Sequence, residues 1–134
     1  MVKRSGTPNP KQRVLLAEDE MLIALDLQDM LGGLGYEVIG PAADIAGIRK
    51  LLQHGPFDGA ILDVNLRGEQ VFSVLPALIA IGIPVILASG YDDVRQFPAE
   101  FRLLPRLGKP FSPEAVKAIC AQSFKRDGKD DDAA

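Results

Sequence analysis

Short, unbroken apolar runs alternate with longer amphipathic stretches along most of this chain. Such runs are typical of parallel strands buried on both faces, whereas apolar residues spaced three and four apart indicate a helix with one buried side. Five runs can be identified, at 14–17, 38–40, 59–63, 84–89 and around Leu107. Because strands and helices alternate five times, the sequence predicts an α/β fold with a doubly wound, five-stranded parallel sheet.

The predicted helices differ in how clearly the sequence marks them. Apolar stripes and capping residues mark four of them, at 23–34, 44–52, 71–79 and from Ser112 onward. Pro76 interrupts the third and is expected to kink it or to delay its start. Between residues 91 and 106 the pattern is weak and is broken by Pro98 and Pro105. Helix four is therefore expected to be short or irregular.

The size and charge of the chain limit its class and its partners. Its 134 residues, 47% of them hydrophobic, suffice for one globular domain. The formal net charge is −3, but 14 acidic against 8 basic residues between 14 and 124 give the folded body a charge of −6. An acidic body is a poor ligand for a phosphate backbone, so nucleic acid is not expected as a direct partner.

The cysteine content and the termini indicate a cytoplasmic protein with one folded domain. Cys120 is the only cysteine, which excludes an intrachain disulfide, and its apolar neighbours at helical spacing favour a core position. Residues 1–11 lack the apolar stretch of a signal peptide and are expected to form a flexible arm. Residues 126–134 are expected to be a disordered tail, which leaves 12–125 as the folded domain, without an output module.

One long uncharged segment raises the alternative of a membrane helix. The 22 residues from 70 to 91 carry no formal charge and are numerous enough to span a bilayer. Pro76, Gly82 and Pro84 interrupt the segment, and its second half has the composition of a strand. A helix, a tight turn and a buried strand explain it better, so no membrane partner is expected.

Residues capable of chemistry follow four of the five predicted strands. Open parallel sheets bind ligands beyond the carboxyl ends of their strands, where the strand order reverses. Strand two ends in glycine and proline, whereas the other four end in charged or hydroxyl residues: Glu18 and Asp19, Asp63, Ser89, and Lys109. In the flavodoxin-like order 2-1-3-4-5, these four strand ends are contiguous. The side chains are therefore predicted to form a single site.

The chemistry of this predicted site favours a divalent cation and a phosphoryl group. Two carboxylates about 4 Å apart repel by about 4 kcal/mol at an effective dielectric near 20, so Asp19 and Asp63, with Glu18 nearby, would bind protons or a cation. Oxygen ligands without histidine or a second cysteine favour Mg²⁺ over zinc. Lys109 and Ser89 could then bind phosphoryl oxygens, and Asp63 would be a nucleophile that forms an aspartyl phosphate.

Taken singly, each of these residues also has an ordinary structural explanation. An aspartate at a strand end is usually a turn residue or a helix cap, a lysine before proline is usually solvated, and a serine before glycine usually begins a turn. Matching residue types at four adjacent strand ends nevertheless favour a shared site over a set of coincidences.

Four sequence segments carry a resemblance to a known family. VLLAEDE, ILDVNLRGE, PVILASGYD and LGKPFSPE, in this order and spacing, resemble the receiver domains of bacterial two-component response regulators over residues 12–125. The resemblance implies that Asp63 accepts a phosphoryl group, with Mg²⁺, from a histidine kinase or a phosphotransfer protein. The protein would then be a single-domain response regulator that catalyses only its own phosphorylation and dephosphorylation. It would signal through an unidentified downstream protein or act as a phosphate sink.

The same resemblance assigns a role to each residue of the predicted site. Metal binding would involve a water held by Glu18, the carboxylates of Asp19 and Asp63, and the backbone carbonyl of Asn65. Ser89 and Lys109 would contact the phosphoryl group, and the peptide bond between Lys109 and Pro110 would be cis.

The sequence departs from the usual receiver pattern at two positions. Receivers usually have Tyr or Phe three residues before the lysine, where this chain has Arg106, so the usual aromatic switch cannot operate. Arg67 stands where many receivers have proline. The segment LASGY resembles the Phe-Ala-Thr-Gly-Tyr signature of a subfamily often paired with HWE-type histidine kinases, in which helix four tends to be irregular. Tyr91 and Asn65 occupy positions expected to tune dephosphorylation.

Two other functions remain open on the sequence alone. Arg106 could fill the pocket and mimic a constitutive state, which would make the protein a phosphorylation-independent interaction module. A small aspartyl phosphatase of the haloacid-dehalogenase type would also place a nucleophilic aspartate after a strand. Such enzymes need a second aspartate two residues later, where this chain has Asn65.

Overall fold

Strands and helices alternate along residues 10–90 and 93–125, the part of the chain that the computed structural model describes. The strands are β1 (Arg13–Ala17), β2 (Glu37–Ala42), β3 (Gly59–Asp63), β4 (Asn65–Leu66), β5 (Glu69–Gln70), β6 (Val85–Ser89) and β7 (Arg106–Gly108). The α-helices are α1 (Met21–Gly33), α2 (Ile45–Leu51), α3 (Leu75–Ala80) and α4 (Pro113–Ser123). A short 3₁₀ helix, Leu52–His54, continues α2.

Five of these strands form one parallel sheet in the order β2-β1-β3-β6-β7. Counted along the chain, the order is 2-1-3-4-5, so the predicted flavodoxin-like architecture is confirmed. β4 and β5 form a separate antiparallel hairpin soon after β3. The strand order reverses between β1 and β3, where ligands of such sheets bind, and the segments that follow these two strands lie side by side there.

Apolar side chains cover both faces of the sheet, which explains why β3 and β6 are free of polar side chains until their last residue. One cluster packs under α2 and α3 and includes Leu15 and Leu62. The other packs under α1 and α4 and includes Leu16 and Ile61. Successive residues of a strand therefore serve opposite faces, as the pleat requires, and a double-sided core holds the strand ends in place.

Cys120 on α4 belongs to the second of these clusters and is fully buried. Burial raises the pKa of its thiol to about 12. A thiol that is protonated and inaccessible is a poor nucleophile. The prediction that Cys120 is a core residue is confirmed.

The second strand is longer than the sequence predicts, because β2 continues beyond Pro41 to Ala42. The register of β2 against β1 shifts where Gly40 adopts a φ of +123°. This conformation suits glycine and strains other residues, so the strand bulges at Gly40 and resumes its pairing instead of ending. Beyond the bulge, the Ala42 carbonyl accepts a hydrogen bond from the Glu18 N–H at 2.9 Å. The extension thus ties β2 to the segment that enters the predicted site.

Helices three and four are as irregular as predicted. A 3₁₀ helix, Val71–Ser73, comes first, and α3 begins only at Leu75 with Pro76 in its first turn, where proline costs no hydrogen bond. In the region of helix four, the residues from 93 onward form two short 3₁₀ helices, Asp93–Gln96 and Ala99–Phe101. Both predictions are confirmed.

Some predictions fall outside the described residues. The predicted arm is described only at residues 10 and 11, and the predicted tail and Tyr91 are not described. The uncharged segment, as far as residue 90, forms the 3₁₀ helix, α3, a turn and β6. None of the helices in the described part combines the length and the apolar character needed to cross a membrane.

Candidate functional site

The charged and hydroxyl residues that follow the strands meet at the carboxyl edge of the sheet. They are Glu18 and Asp19 after β1, Asp63 at the end of β3, Ser89 at the end of β6 and Lys109 after β7. The backbone N–H of Lys109 donates to the Ser89 carbonyl at 2.9 Å, which joins the ends of β6 and β7. The peptide bond between Lys109 and Pro110 is cis, as the family resemblance implies.

The Lys109 ammonium group lies between two buried carboxylates. Its Nζ is 2.8 Å from Asp63 Oδ2 and 3.0 Å from Glu18 Oε1. The side chain of Glu18 is 0% exposed and that of Asp63 is 9% exposed, so solvent screens this contact weakly. One cation therefore holds together two acidic groups that would otherwise repel each other.

Burial and charge act against each other at these groups. Burial raises the pKa of the Glu18 carboxyl to about 7, and the Asp63 charge adds to this effect, whereas the Glu20 backbone N–H and Lys109 oppose it. Burial alone would lower the pKa of Lys109, but the close contacts and charges of Asp63 and Glu18 outweigh it and raise that pKa. Lys109 is thus charged at neutral pH. A further positive charge beside Glu18 would lower the pKa of its carboxyl and favour the ionised form.

The donor set fits a magnesium ion. Glu18, Asp19 and Asp63, here named the acidic cluster, each offer a carboxylate oxygen, and these oxygens lie within 4.8 Å of one another. Glu18 Oε1 is buried and makes no hydrogen bond of good geometry in spite of its proximity to Lys109. Oxygen-only ligands of this kind suit Mg²⁺. The Asn65 N–H donates to Asp63 Oδ1 at 3.2 Å, so Asn65 is adjacent, and metal binding by its carbonyl stays a prediction.

The hairpin of β4 and β5 supplies a contact that the sequence did not reveal. Its turn residues Arg67 and Gly68 have φ values of +51° and +82°, as two-residue hairpin turns require. In this conformation the Arg67 N–H donates to Asp19 Oδ2 at 2.8 Å. The Arg67 side chain lies 3.5 Å from Asp44 Oδ2 in an exposed ion pair that contributes little. The backbone of Arg67 therefore orients one carboxylate of the acidic cluster.

Arg67→Pro is expected to weaken Mg²⁺ binding about tenfold, the usual scale for loss of a group that orients a metal ligand. Proline has no N–H to donate to Asp19 and cannot adopt a positive φ. Arg67→Gly, which keeps both properties and removes only the exposed ion pair, is the matched control and should bind Mg²⁺ like the wild type. Titration followed by NMR chemical shifts measures both affinities, and equal affinities for the two variants would contradict this role.

Ser89 is held by a residue that the sequence identified only as a departure from the receiver pattern. Arg106 Nε donates to Ser89 Oγ at 2.8 Å, and Arg106 Nη2 donates to the Gly90 carbonyl at 2.8 Å. The guanidinium therefore contacts the serine hydroxyl, whereas it is Lys109 that contacts Asp63. The sequence signal was the basic residue itself, at a position where a receiver usually has an aromatic ring.

Several solved structures share this fold, although no family model matches the sequence. SdrG from Sphingomonas melonis Fr1 has a TM-score of 0.74 and 39% identity, and the match covers 83% of this chain and 94% of SdrG. The BeF3-activated conformation of SdrG from Pseudomonas melonis Fr1 has a TM-score of 0.70 and 40% identity, and the match covers 82% of this chain and 94% of that one. The PhyR response regulator REC domain from Erythrobacter litoralis has a TM-score of 0.75 over 84% of this chain and 88% of that one, and its 23% identity makes this a likeness of fold.

One curated relative shows the same similarity at the level of sequence. Phyllosphere-induced regulator PhyR of Methylorubrum extorquens is 33% identical over 116 residues, which are 83% of this chain and 43% of PhyR. The chain thus spans about half the length of the curated relatives that it matches, or slightly less. SdrG, in contrast, is matched over nearly its whole length at an identity that establishes common family. The chain therefore belongs to the receiver domains of two-component response regulators.

Proposed function

We propose that this receiver accepts a phosphoryl group on Asp63 from a phosphorylated histidine of a histidine kinase or a phosphotransfer protein. The observation that carries the proposal is the position of the Asp63 carboxylate. It is 2.8 Å from the Lys109 ammonium and belongs to the acidic cluster, whose oxygens lie within 4.8 Å of one another. A carboxylate beside a fixed cation and a metal-binding set is equipped to attack phosphorus.

In the proposed transfer, an Asp63 oxygen forms a bond to phosphorus while the bond between phosphorus and the donor imidazole nitrogen breaks. The electron pair of that bond stays on the imidazole. Lys109 stabilises charge on one phosphoryl oxygen, and the Ser89 hydroxyl donates to another, so the protein acts mainly by positioning and electrostatics. Mg²⁺, when bound by the acidic cluster and the Asn65 carbonyl, supplies further neutralising charge. Hydrolysis of the aspartyl phosphate by water then returns the free carboxylate.

Signalling would follow from the phosphorylated state. The phosphorylated receiver would contact a downstream protein or drain phosphoryl groups from its kinase in the cytoplasm, and the LASGY segment favours a kinase of the HWE type. The BeF3-activated conformation of SdrG supports a phosphorylation-driven change, since beryllofluoride resembles a phosphoryl group in shape and charge. Asn65 and Tyr91 are proposed to set the lifetime of the aspartyl phosphate.

Incubation with Mg²⁺ and acetyl phosphate is expected to add one phosphoryl group to the wild type and none to Asp63→Asn, because Asp63 supplies the nucleophilic oxygen of the proposed transfer and an amide is a poor nucleophile. Intact-protein mass spectrometry measures the product. Asp29→Asn is the matched control, since it removes an exposed carboxylate of α1, and it should be labelled like the wild type. EDTA should prevent labelling. An unlabelled wild type, or undiminished labelling of Asp63→Asn, would contradict the proposal.

A second candidate, the phosphorylation-independent interaction module, is motivated by Arg106 at the position of the usual aromatic residue. Its guanidinium contacts Ser89 and Gly90, and Lys109 stays paired with Asp63. This arrangement favours a functional phosphorylation site over one that Arg106 blocks. Binding of a partner that neither phosphorylation nor Asp63→Asn affects would favour the module instead. The relatives are regulators by name, which leaves the haloacid-dehalogenase alternative without support.

A further inference from the structure

Arg106 joins the hydroxyl of Ser89 to the backbone of the next residue. One planar group makes both contacts, since Nε donates to Ser89 Oγ at 2.8 Å and Nη2 donates to the Gly90 carbonyl at the same distance. Ser89 is 1% exposed, so bulk water does not compete for its hydroxyl. The register of β6 and β7 pairs Leu87 with Arg106, and the arginine side chain therefore runs along the strand to reach Ser89.

Gly108 leaves the space that this arrangement needs. A Cβ at Gly108 would lie 3.3 Å from Arg106 Nη1 and 3.7 Å from Arg106 Cζ, which is tight packing against the guanidinium. Residues two apart on a strand share a face, so the guanidinium passes beside the glycine on its way to Ser89. Gly108 thus provides the space in which the Arg106 guanidinium lies beside the serine hydroxyl.

We propose that Arg106 is a positioning residue for Ser89, and that it couples the serine hydroxyl to the backbone that follows β6. The inference rests on the proposed phosphorylation of Asp63. A guanidinium can donate hydrogen bonds but cannot accept them. Ser89 Oγ therefore accepts from Arg106 and keeps its single proton for another acceptor. Because a charge-assisted bond polarises the hydroxyl, Ser89 becomes a stronger donor to a phosphoryl oxygen on Asp63.

Because the guanidinium is planar and rigid, movement of the Ser89 hydroxyl affects the Gly90 carbonyl as well. Nε and Nη2 are fixed relative to each other, so a shift of Ser89 Oγ toward the phosphoryl group either breaks one of the two hydrogen bonds or displaces the Gly90 carbonyl. A displacement of Ser89 Oγ therefore passes through Arg106 to the Gly90 carbonyl.

A double-mutant cycle on the rate of labelling by acetyl phosphate and Mg²⁺ tests the positioning role. Arg106→Met is expected to slow labelling about tenfold when Ser89 is present and less than about twofold in the Ser89→Ala background, because residues that act through one contact are not additive. A merely structural role of Arg106 would slow both backgrounds equally, and that result would overturn the inference. Urea unfolding of the four proteins shows that all are folded under the assay conditions.

A second measurement needs no phosphorylation. The Arg106 Nε–H resonance in ¹⁵N-edited NMR spectra should exchange slowly with water in the wild type and at least about tenfold faster in Ser89→Ala, because a lost hydrogen bond removes the protection. Equal exchange rates in the two proteins would overturn the inference. A wild type that shows the protection but takes up no phosphoryl group would instead contradict the proposed function, so the two failures are distinguishable.

Discussion

Lys109→Met is expected to lower the free energy of unfolding by about 3 kcal/mol when divalent ions are absent. The change keeps most of the side-chain length but leaves the carboxylates of Glu18 and Asp63 without the cation that they share. Removing one partner of a buried ion pair costs about 3 to 5 kcal/mol. Lys109 is 21% exposed and Glu18 can take up a proton, which places the loss at the lower end of that range.

Mg²⁺ should stabilise Lys109→Met more than it stabilises the wild type. A ligand that binds only the folded state stabilises it by an amount that grows with its affinity, and removal of the ammonium group takes away a competing cation. Labelling by acetyl phosphate should nevertheless be at least about 100-fold slower, since a charged donor to the phosphoryl group is lost.

Urea unfolding in EDTA and in Mg²⁺ measures both parts of this prediction. Lys50→Met, which replaces an exposed lysine of α2, is the matched control and should change the free energy of unfolding by less than about 0.5 kcal/mol. If Mg²⁺ stabilised Lys109→Met and the wild type equally, Lys109 would not be a competitor for the metal.

Gly40→Ala is expected to lower the free energy of unfolding by roughly 3 kcal/mol and to weaken Mg²⁺ binding as well. An alanine at this position would be strained at a φ of +123°, and its Cβ would lie 2.5 Å from the Leu16 carbonyl oxygen and 3.1 Å from the Ala42 nitrogen. These neighbours are backbone atoms, one of β1 and one of β2 itself, and cannot rotate away. Because the Ala42 carbonyl binds the Glu18 N–H, a displaced β2 would also move the acidic cluster.

Gly32→Ala is the matched control for this substitution. Gly32 lies within α1, and an added Cβ would meet no atom within 4 Å. Alanine favours a helix over glycine, so this variant should be more stable by about 0.5 to 1 kcal/mol. Urea unfolding and Mg²⁺ titration compare the two variants. A Gly40→Ala protein as stable as the wild type would show that the bulge tolerates a side chain.

The ends of the strands carried most of the information that was available in the sequence. A parallel sheet brings the carboxyl ends of its strands to one edge, so Asp63 and Lys109 could be predicted to meet although 46 residues separate them. The absence of reactive residues after strand two, where Gly40 and Pro41 stand, placed that strand beside the site rather than within it. The fold and the acidic cluster both followed from this single regularity.

Features that depend on the space around a side chain could not be predicted in the same way. The contact between Arg106 and Ser89 depends on the space that Gly108 leaves for the guanidinium. The order of residues in the sequence does not show that space. The Arg67 N–H contacts Asp19 because the hairpin turn has a positive φ at a residue other than glycine. The sequence predicts that strand two ends at Pro41, and this prediction is wrong because the bulge at Gly40 allows pairing to resume.

Because β7 lies at the edge of the sheet, a displacement of this strand would move Arg106 and Lys109 together. β7 has three residues and pairs only with β6 in the described sheet, yet it begins with Arg106 and leads directly into Lys109. A short strand held along one side frays at a lower free energy than the central strands do. Fraying would withdraw both cations at once and leave the buried carboxylates of Glu18 and Asp63 without the ammonium group that they share. The pocket can therefore lose its charge balance long before the molecule unfolds.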